Sequence, residues 1–216
     1  MATTIVFDLD GTLADSSGCI VGAAHHVGTT FGLKSVRDEQ IKAKIGQPLG
    51  LMLSTLFAIE EPVLSEAIQA YSVEYVRLAA SEERLFDGVL VMLECLRREG
   101  FQLAIATGKS QRGAENASKR LGLTPFFDSI HGILPGTPGK PDPAVLLRAM
   151  SALSVSASDC ILVGDTTFDL DLAKAVRVRR AAVSWGVHSA DILRGRAPEF
   201  FASTVAELET WLLQQK

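Results

Sequence analysis

The sequence predicts an α/β protein: a Rossmann-like, doubly wound parallel sheet with a small helical cap domain inserted after the first strand. Three observations carry this expectation. The apolar runs Ile5-Val6-Phe7, Leu103 to Ala106 and Ile161 to Val163 each stop at a polar or glycine residue, as strands buried on both faces of a parallel sheet do. From Val89 onward such runs alternate with helical patterns, which implies right-handed crossovers with helices on both sheet faces. Between Thr12 and about Glu83, by contrast, the periodicity is helical throughout.

Within that helical stretch Val63, Ala67, Ala70, Tyr71, Tyr75 and Leu78 recur at helix spacing, and Gly32, Gly46-Gln47-Pro48 and Glu61-Pro62 supply turns. Residues 16–83 are therefore assigned to the cap, and residues 1–15 and 84–216 to the core. In the core a helix is expected to Arg98 with a stop at Gly100, then a strand from Phe101 to Ala106. A helix from Ser110 to Leu121 follows, with Gly122 as its C-terminal cap. After a short segment near Ser129 to His131 come a helix from about Asp142 to Leu153 and a strand from Cys160 to Val163. A helix from Thr167 to Val176, a strand from Arg180 to Ser184 and a last helix from Val205 to Leu213 complete the chain.

Composition narrows the function classes. With 47% apolar and 21% charged residues and no long Pro/Gly/Ser tract, the 216 residues have the make-up of a folded globular chain rather than a disordered one. A formal net charge of -4 argues against a nucleic-acid surface, and Arg177, Arg179 and Arg180 form a short basic cluster without interleaved aromatics. Cys19, Cys95 and Cys160 are odd in number and far apart, which indicates neither a disulfide framework nor a zinc site. No apolar run approaches a bilayer span, and the four N-terminal residues lead straight into a strand, leaving no room for a signal peptide. The expectation is a cytoplasmic monomer or homodimer with no nucleic-acid or membrane partner. His25 and His26, adjacent on a helix, are assigned to packing or exposure, as are Trp185 and Trp211 to packing.

In an open α/β sheet, ligands bind beyond the carboxyl ends of the strands, and four segments deliver reactive groups to such positions. They are Asp8-Leu9-Asp10-Gly11-Thr12, Ala106-Thr107-Gly108-Lys109, Gly139-Lys140-Pro141 and Gly164-Asp165-Thr166-Thr167-Phe168-Asp169. Asp8 and Asp10 are two apart, so both side chains leave the same side of an extended chain. Together with Asp165 and Asp169 they repel one another and any incoming phosphate, so a cation is required. Hard oxygen donors without clustered Cys or His select Mg2+, with Asp8 and Asp165 as ligands and Asp169 as a direct ligand or an anchor behind them. The same residues suit phosphoryl transfer to a carboxylate: Asp8 as nucleophile, and Asp10 as the acid and then the base. Thr107 offers a hydroxyl, Gly108 a backbone amide at a helix start, and Lys140 a compact positive charge for the phosphate.

These residues resemble the haloacid dehalogenase superfamily, and within it the small phosphatases similar to phosphoglycolate phosphatase. Phe7-Asp8-Leu9-Asp10-Gly11-Thr12-Leu13 resembles the first motif, Thr107-Gly108-Lys109 the second, Lys140-Pro141-Asp142-Pro143 the third and Gly164 to Asp169 the fourth, so the match spans nearly the whole chain. The resemblance implies a Rossmann-like core, a helical cap inserted after the first motif, magnesium, a covalent aspartyl-phosphate at Asp8, and coordination of the metal by Asp10 through its backbone carbonyl. An aspartate at position 10 favours phosphate esters, because dehalogenases and phosphonate-cleaving relatives lack it. Ala182 to Gly186 and Ile45-Gly46-Gln47-Pro48-Leu49 are similar to softer features of the phosphoglycolate phosphatase group.

Two departures stand out. Val176-Arg177 replaces a frequent Ala-Gly, and a non-glycine residue in a left-handed cap costs about 1–2 kcal/mol. The stretch His131-Gly132-Ile133-Leu134 lacks an acidic residue often found there, which bears on substrate preference. A cap over the site would exclude water and choose the substrate; Asp15 and Gln47 are the selecting candidates, with Lys42 and Lys44 nearby in sequence. The leading expectation is a phosphatase acting on a small phosphate ester. The alternatives are a sugar-phosphate mutase similar to β-phosphoglucomutase, which would retain the phosphate on its product, and a non-catalytic phosphate-binding module.

Overall fold

The computed structural model describes residues 4–215; residues 1–3, part of the N-terminal segment considered above for a leader, and residue 216 lie outside the described residues. The chain opens with β1 (Thr4–Phe7) and β2 (Ala14–Asp15), followed by four helices, α1 (Ser17–Thr30), α2 (Asp38–Lys42), α3 (Leu49–Phe57) and α4 (Val63–Glu82). It returns through β3 (Arg84–Leu85) and α5 (Val89–Arg98) into β4 (Gln102–Ser110), α6 (Gln111–Arg120), β5 (Ser129–Ile133) and α7 (Ala144–Leu153). The last part is β6 (Cys160–Gly164), α8 (Thr167–Ala175), β7 (Arg179–Val183), α9 (Ala190–Arg194), β8 (Phe200–Ala202) and α10 (Val205–Leu213).

Six strands form one parallel sheet in the order β5-β4-β1-β6-β7-β8. The chain builds outward from β1 to β4 and β5 on one side, then crosses to β6, β7 and β8 on the other. The C-terminal ends of β1, β4 and β6 therefore flank the point where the winding reverses, which is where open α/β sheets bind ligands. β1 is buried on both faces: Ile5 and Phe7 enter one apolar core with Leu93, Leu96 and Leu208, while Val6 enters the other with Leu146, Leu162 and Leu172. That two-sided burial is why the strand is continuously apolar rather than alternating.

Helices α1 to α4 bury a separate apolar cluster that includes Val27, Ile41, Leu53, Phe57 and Tyr71. Gly32, Gly46 and Glu61-Pro62 all fall in its interhelical turns. The stem of this helical unit is a feature the sequence did not announce: β2 and β3 pair antiparallel, Ala14 with Leu85 and Asp15 with Arg84, as two crossings side by side. Strands of two residues carry no periodicity to detect. The same applies to α9 and the three-residue β8, both outside the expected pattern. Arg177, after α8, sits at φ 58°, in the left-handed conformation whose strain its sequence implied. Among the described residues no helix is long and apolar enough to cross a membrane.

Candidate active site

The four segments converge at the C-terminal ends of β1, β4 and β6. One carboxylate oxygen each from Asp8, Asp165 and Asp169 lies within 4.8 Å of the others, and all three residues are buried. Lys140, 1% exposed, reaches in from the loop before α7 and donates to Asp8 Oδ1 at 2.7 Å and to Asp169 Oδ1 at 2.6 Å. The other oxygen of Asp169 accepts from the Thr166 amide and hydroxyl in the capping box that starts α8. Asp165 accepts from the Thr12 hydroxyl at 2.9 Å and the Val187 amide at 2.8 Å. Its side chain is gripped between Gly11 and Gly186, where an added Cβ would lie 2.2 Å from it on either side. Any side chain at those two positions would displace the carboxylate.

Charge is the dominant physical fact of this cluster. Burial pushes the Asp8 carboxyl up to about 7; Lys140 pulls it back, while Asp169 and Asp10 add to the rise. Asp165 is raised well above the usual carboxylate range by burial first, then by Asp169 and Asp8, with Val187 and Thr12 opposing. Burial alone would lower the Lys140 ammonium, but Asp169 and Asp8 prevail and hold it above its ordinary value. One ammonium group thus faces three carboxylates, and Asp8 Oδ2 is buried with no hydrogen-bond partner. A hard divalent cation would supply the missing charge, and the hard carboxylate oxygens of this donor set fit such an ion. Asp10 stands outside the carboxylate cluster: its Oδ1 accepts from Ser16 Oγ at 2.5 Å and lies 3.0 Å from Lys109 Nζ.

The second segment corrects the sequence reading. Gly108 was expected at a helix start, yet Thr107, Gly108 and Lys109 all belong to β4, and the N-cap of α6 is Ser110, whose Oγ accepts from the Gly113 amide. The pairing of β4 with β5 shifts register between Ala106 and Ser110 as this segment bows out. The side-chain amide of Gln111 fills the gap in the ladder, donating to Ile130 O at 2.9 Å and accepting from the Gly132 amide at 2.8 Å. Thr107 is fully buried, and its Oγ1 accepts from the Lys109 amide.

Several cap–core contacts seat the helical unit on this edge. The Gly46-Gln47-Pro48 turn lies directly on the core: a Cβ at Gly108 would be 2.3 Å from Gly46 O, and one at Gly139 would be 2.1 Å from Pro48 Cγ. Gln47 Oε1 is buried there without a partner. Asp15 lies in the stem, accepting from Ser17 Oγ at 3.5 Å, and Lys42 is exposed. Two residues to which the sequence assigned no role in the site matter here. His188 accepts from the Thr167 amide through Nδ1 at 3.1 Å and lies beside the backbone of Ala43 in the cap, where the two units meet. Lys109, adjacent to the phosphate-binding candidates, bonds both Asp10 and the cap's Tyr75. Its position in Thr107-Gly108-Lys109 was a signal; its partners were not. His25 pairs with Asp38 on the exposed surface, and Trp185 donates to Thr12 O at 3.0 Å while packing on Phe86.

Residues 5–183 match the family model described as haloacid dehalogenase-like hydrolase. The chain belongs to the haloacid dehalogenase-like hydrolase family. Among its relatives is the probable phosphatase IndB of Dickeya dadantii (strain 3937), 32% identical over 96% of this chain and 92% of that protein. Another is the putative pyrophosphatase PpaX of Caldanaerobacter subterraneus subsp. tengcongensis, 27% identical over 95% of this chain and 92% of its own length. In three dimensions it is similar to a haloacid dehalogenase-like hydrolase from Streptococcus pneumoniae, with a TM-score of 0.87, 30% identity and 98% of each chain covered. The fold and the family expected from the four motifs are thus both found.

Proposed function

We propose that this hydrolase is a magnesium-dependent phosphatase that cleaves a small phosphomonoester, phosphoglycolate-like in size, through an aspartyl-phosphate at Asp8, in the cytoplasm. The observation that carries the proposal is Asp8 Oδ2: a buried carboxylate oxygen with no partner, on a residue whose other oxygen is pinned by Lys140. A nucleophile needs one free, oriented oxygen, and this geometry leaves one. The ion, held by Asp8, Asp165, the Asp10 backbone carbonyl and, directly or from behind, Asp169, would neutralise the carboxylates and polarise a phosphoryl oxygen.

In the first step Asp8 Oδ2 forms a bond to phosphorus as the ester P–O bond breaks, and Asp10 gives a proton to the departing oxygen. In the second step water attacks the phosphorus, Asp10 takes up its proton, and the P–O bond to Asp8 breaks to release inorganic phosphate. Thr107, the Gly108 amide and Lys140 are assigned to the phosphoryl oxygens. Gln47, with its unpartnered Oε1 on the turn pressed against Gly108, is the stronger candidate for reading the rest of the substrate; Asp15, on the stem, is the weaker.

A panel of small phosphate esters assayed with and without Mg2+ tests this reading. It should include inorganic pyrophosphate, since one relative is named a putative pyrophosphatase. Magnesium-dependent release of inorganic phosphate is expected; transfer of the phosphate to another hydroxyl of a sugar phosphate, without release, would favour a mutase, and no turnover of any ester would reject both.

A further inference from the structure

The cap contributes more than a cover. Asp10 belongs to the loop after β1, and both donors to its carboxylate, Ser16 Oγ and Lys109 Nζ, meet the same oxygen, Oδ1. Lys109 Nζ in turn donates to the hydroxyl of Tyr75 at 2.9 Å and sits 4.1 Å from the centroid of that ring. Tyr75 is on α4, inside the cap, where Tyr71 stacks on it at 6.1 Å. The Tyr75 hydroxyl donates to Glu83, whose side chain is wholly buried at the point where the cap returns to the stem, and the other oxygen of Glu83 pairs with Arg120 of the core helix α6. The chain Asp10–Lys109–Tyr75–Glu83–Arg120 therefore leaves the core, passes through the cap and comes back to the core.

Each link has a physical reason to be there. Burial alone would lower the Lys109 ammonium, yet Asp10, then Tyr71 and Glu83, raise it, so the group is a fixed cation. A lysine side chain has high rotamer freedom, and two polar partners plus an aromatic face remove that freedom. One of those partners and the face belong to Tyr75, and so depend on the cap being seated.

We propose that Tyr75 is a positioning residue for proton transfer: acting through Lys109, it fixes the Asp10 carboxylate so that Oδ2 is left to face the departing oxygen. Cap seating and alignment of the acid are then one event. This inference rests on the phosphatase reading, and on Asp10 as its proton donor. It differs from a role in stability because it concerns one bond-breaking step and one class of leaving group.

The test compares kcat/KM, in saturating Mg2+, for two small substrates. An alkyl phosphate such as phosphoglycolate expels an alkoxide that needs a proton, whereas acetyl phosphate expels acetate, which does not. For Tyr75→Phe we expect kcat/KM to fall about 10-fold with the alkyl phosphate and less than about 2-fold with acetyl phosphate, since general-acid catalysis contributes on the order of 10²–10⁴ only where a proton is required. Lys109→Met should give the same selective pattern, and Tyr75→Phe placed in that background should add nothing, as expected for two residues acting in series. Equal losses on both substrates, no loss on either, or additive losses would overturn the inference while leaving the phosphatase reading intact. If Tyr75→Phe fails to fold, the selectivity of Lys109→Met decides alone. A wild-type enzyme that releases phosphate from no ester of the panel above would overturn the phosphatase reading, and this inference with it.

Discussion

Lys140 and Lys109 each bring an ammonium group to the carboxylates of the site, but one is a possession of the core and the other straddles the seam. Lys140, with a side chain fully shielded from solvent, joins Asp8 to Asp169; Asp8 and Lys140 lie in loops and Asp169 in the first turn of α8, all in the core. Both of its carboxylate partners belong to the core. Lys109 is 14% exposed and joins core Asp10 to cap Tyr75, so its environment changes with the cap. The contrast teaches that Asp8, the proposed nucleophile, is held by groups of the core alone, whereas Asp10, the proposed proton donor, is held through a lysine that also bonds the second unit.

Breaking the core side should have the larger effects. Asp8→Asn keeps the shape but removes the nucleophile, and phosphate release should vanish with far-UV circular dichroism unchanged; release at the wild-type rate would reject covalent catalysis. Lys140→Met leaves buried carboxylates without their cation. Turnover should drop by about 10²–10³, as for loss of one preorganised charge-stabilising group, and breaking such a buried pair costs about 3–5 kcal/mol, to be read in a denaturant titration.

On the seam side, Asp10→Asn should slow turnover by about 10², at the lower end for general acid–base catalysis, with magnesium affinity by calorimetry within a few-fold of wild type. A large loss of affinity would mean that its side chain, rather than its backbone carbonyl, meets the ion. The smallest effect concerns protons at the core cluster. The Asp8 carboxyl is raised from 3.8 to about 7, so between those values the folded state binds more protons than the unfolded one, and stability without metal falls as pH rises through that window. Magnesium competes with those protons, so the rise in Tm on adding it should be greater at pH 8 than at pH 5.5. At 100 times Kd the gain is about 2.7 kcal/mol, on the order of 5–10 °C by differential scanning fluorimetry.

Much of the core was legible because its signals are local. Ile5 to Phe7 and Ile161 to Val163 are short apolar runs ended by chemistry-bearing residues, and Gly122 and Thr166 bound helices through capping rules that need only neighbours. The two-residue strands β2 and β3 and the three-residue β8 were illegible, since each exists only through its pairing partner. The misplacement of Gly108 has a similar origin. A turn-like Thr-Gly-Lys before a helical pattern suggests a helix start, but the crowding against Gly46 and the ladder repair by Gln111 keep the segment extended.

The residue types at the strand ends, the order in which they occur and the helical nature of the insertion were set by the chain itself, because hydrophobic period and turn chemistry act over a few residues. What only the tertiary structure decided was who meets whom: Asp8 with Lys140 across 132 positions, Thr12 with Asp165 across 153, and Lys109 with Tyr75 across 34. The raised carboxyls follow from the same source. Desolvation and Coulomb interactions depend on distance and burial in space, and neither quantity is written in the spacing of residues along the chain.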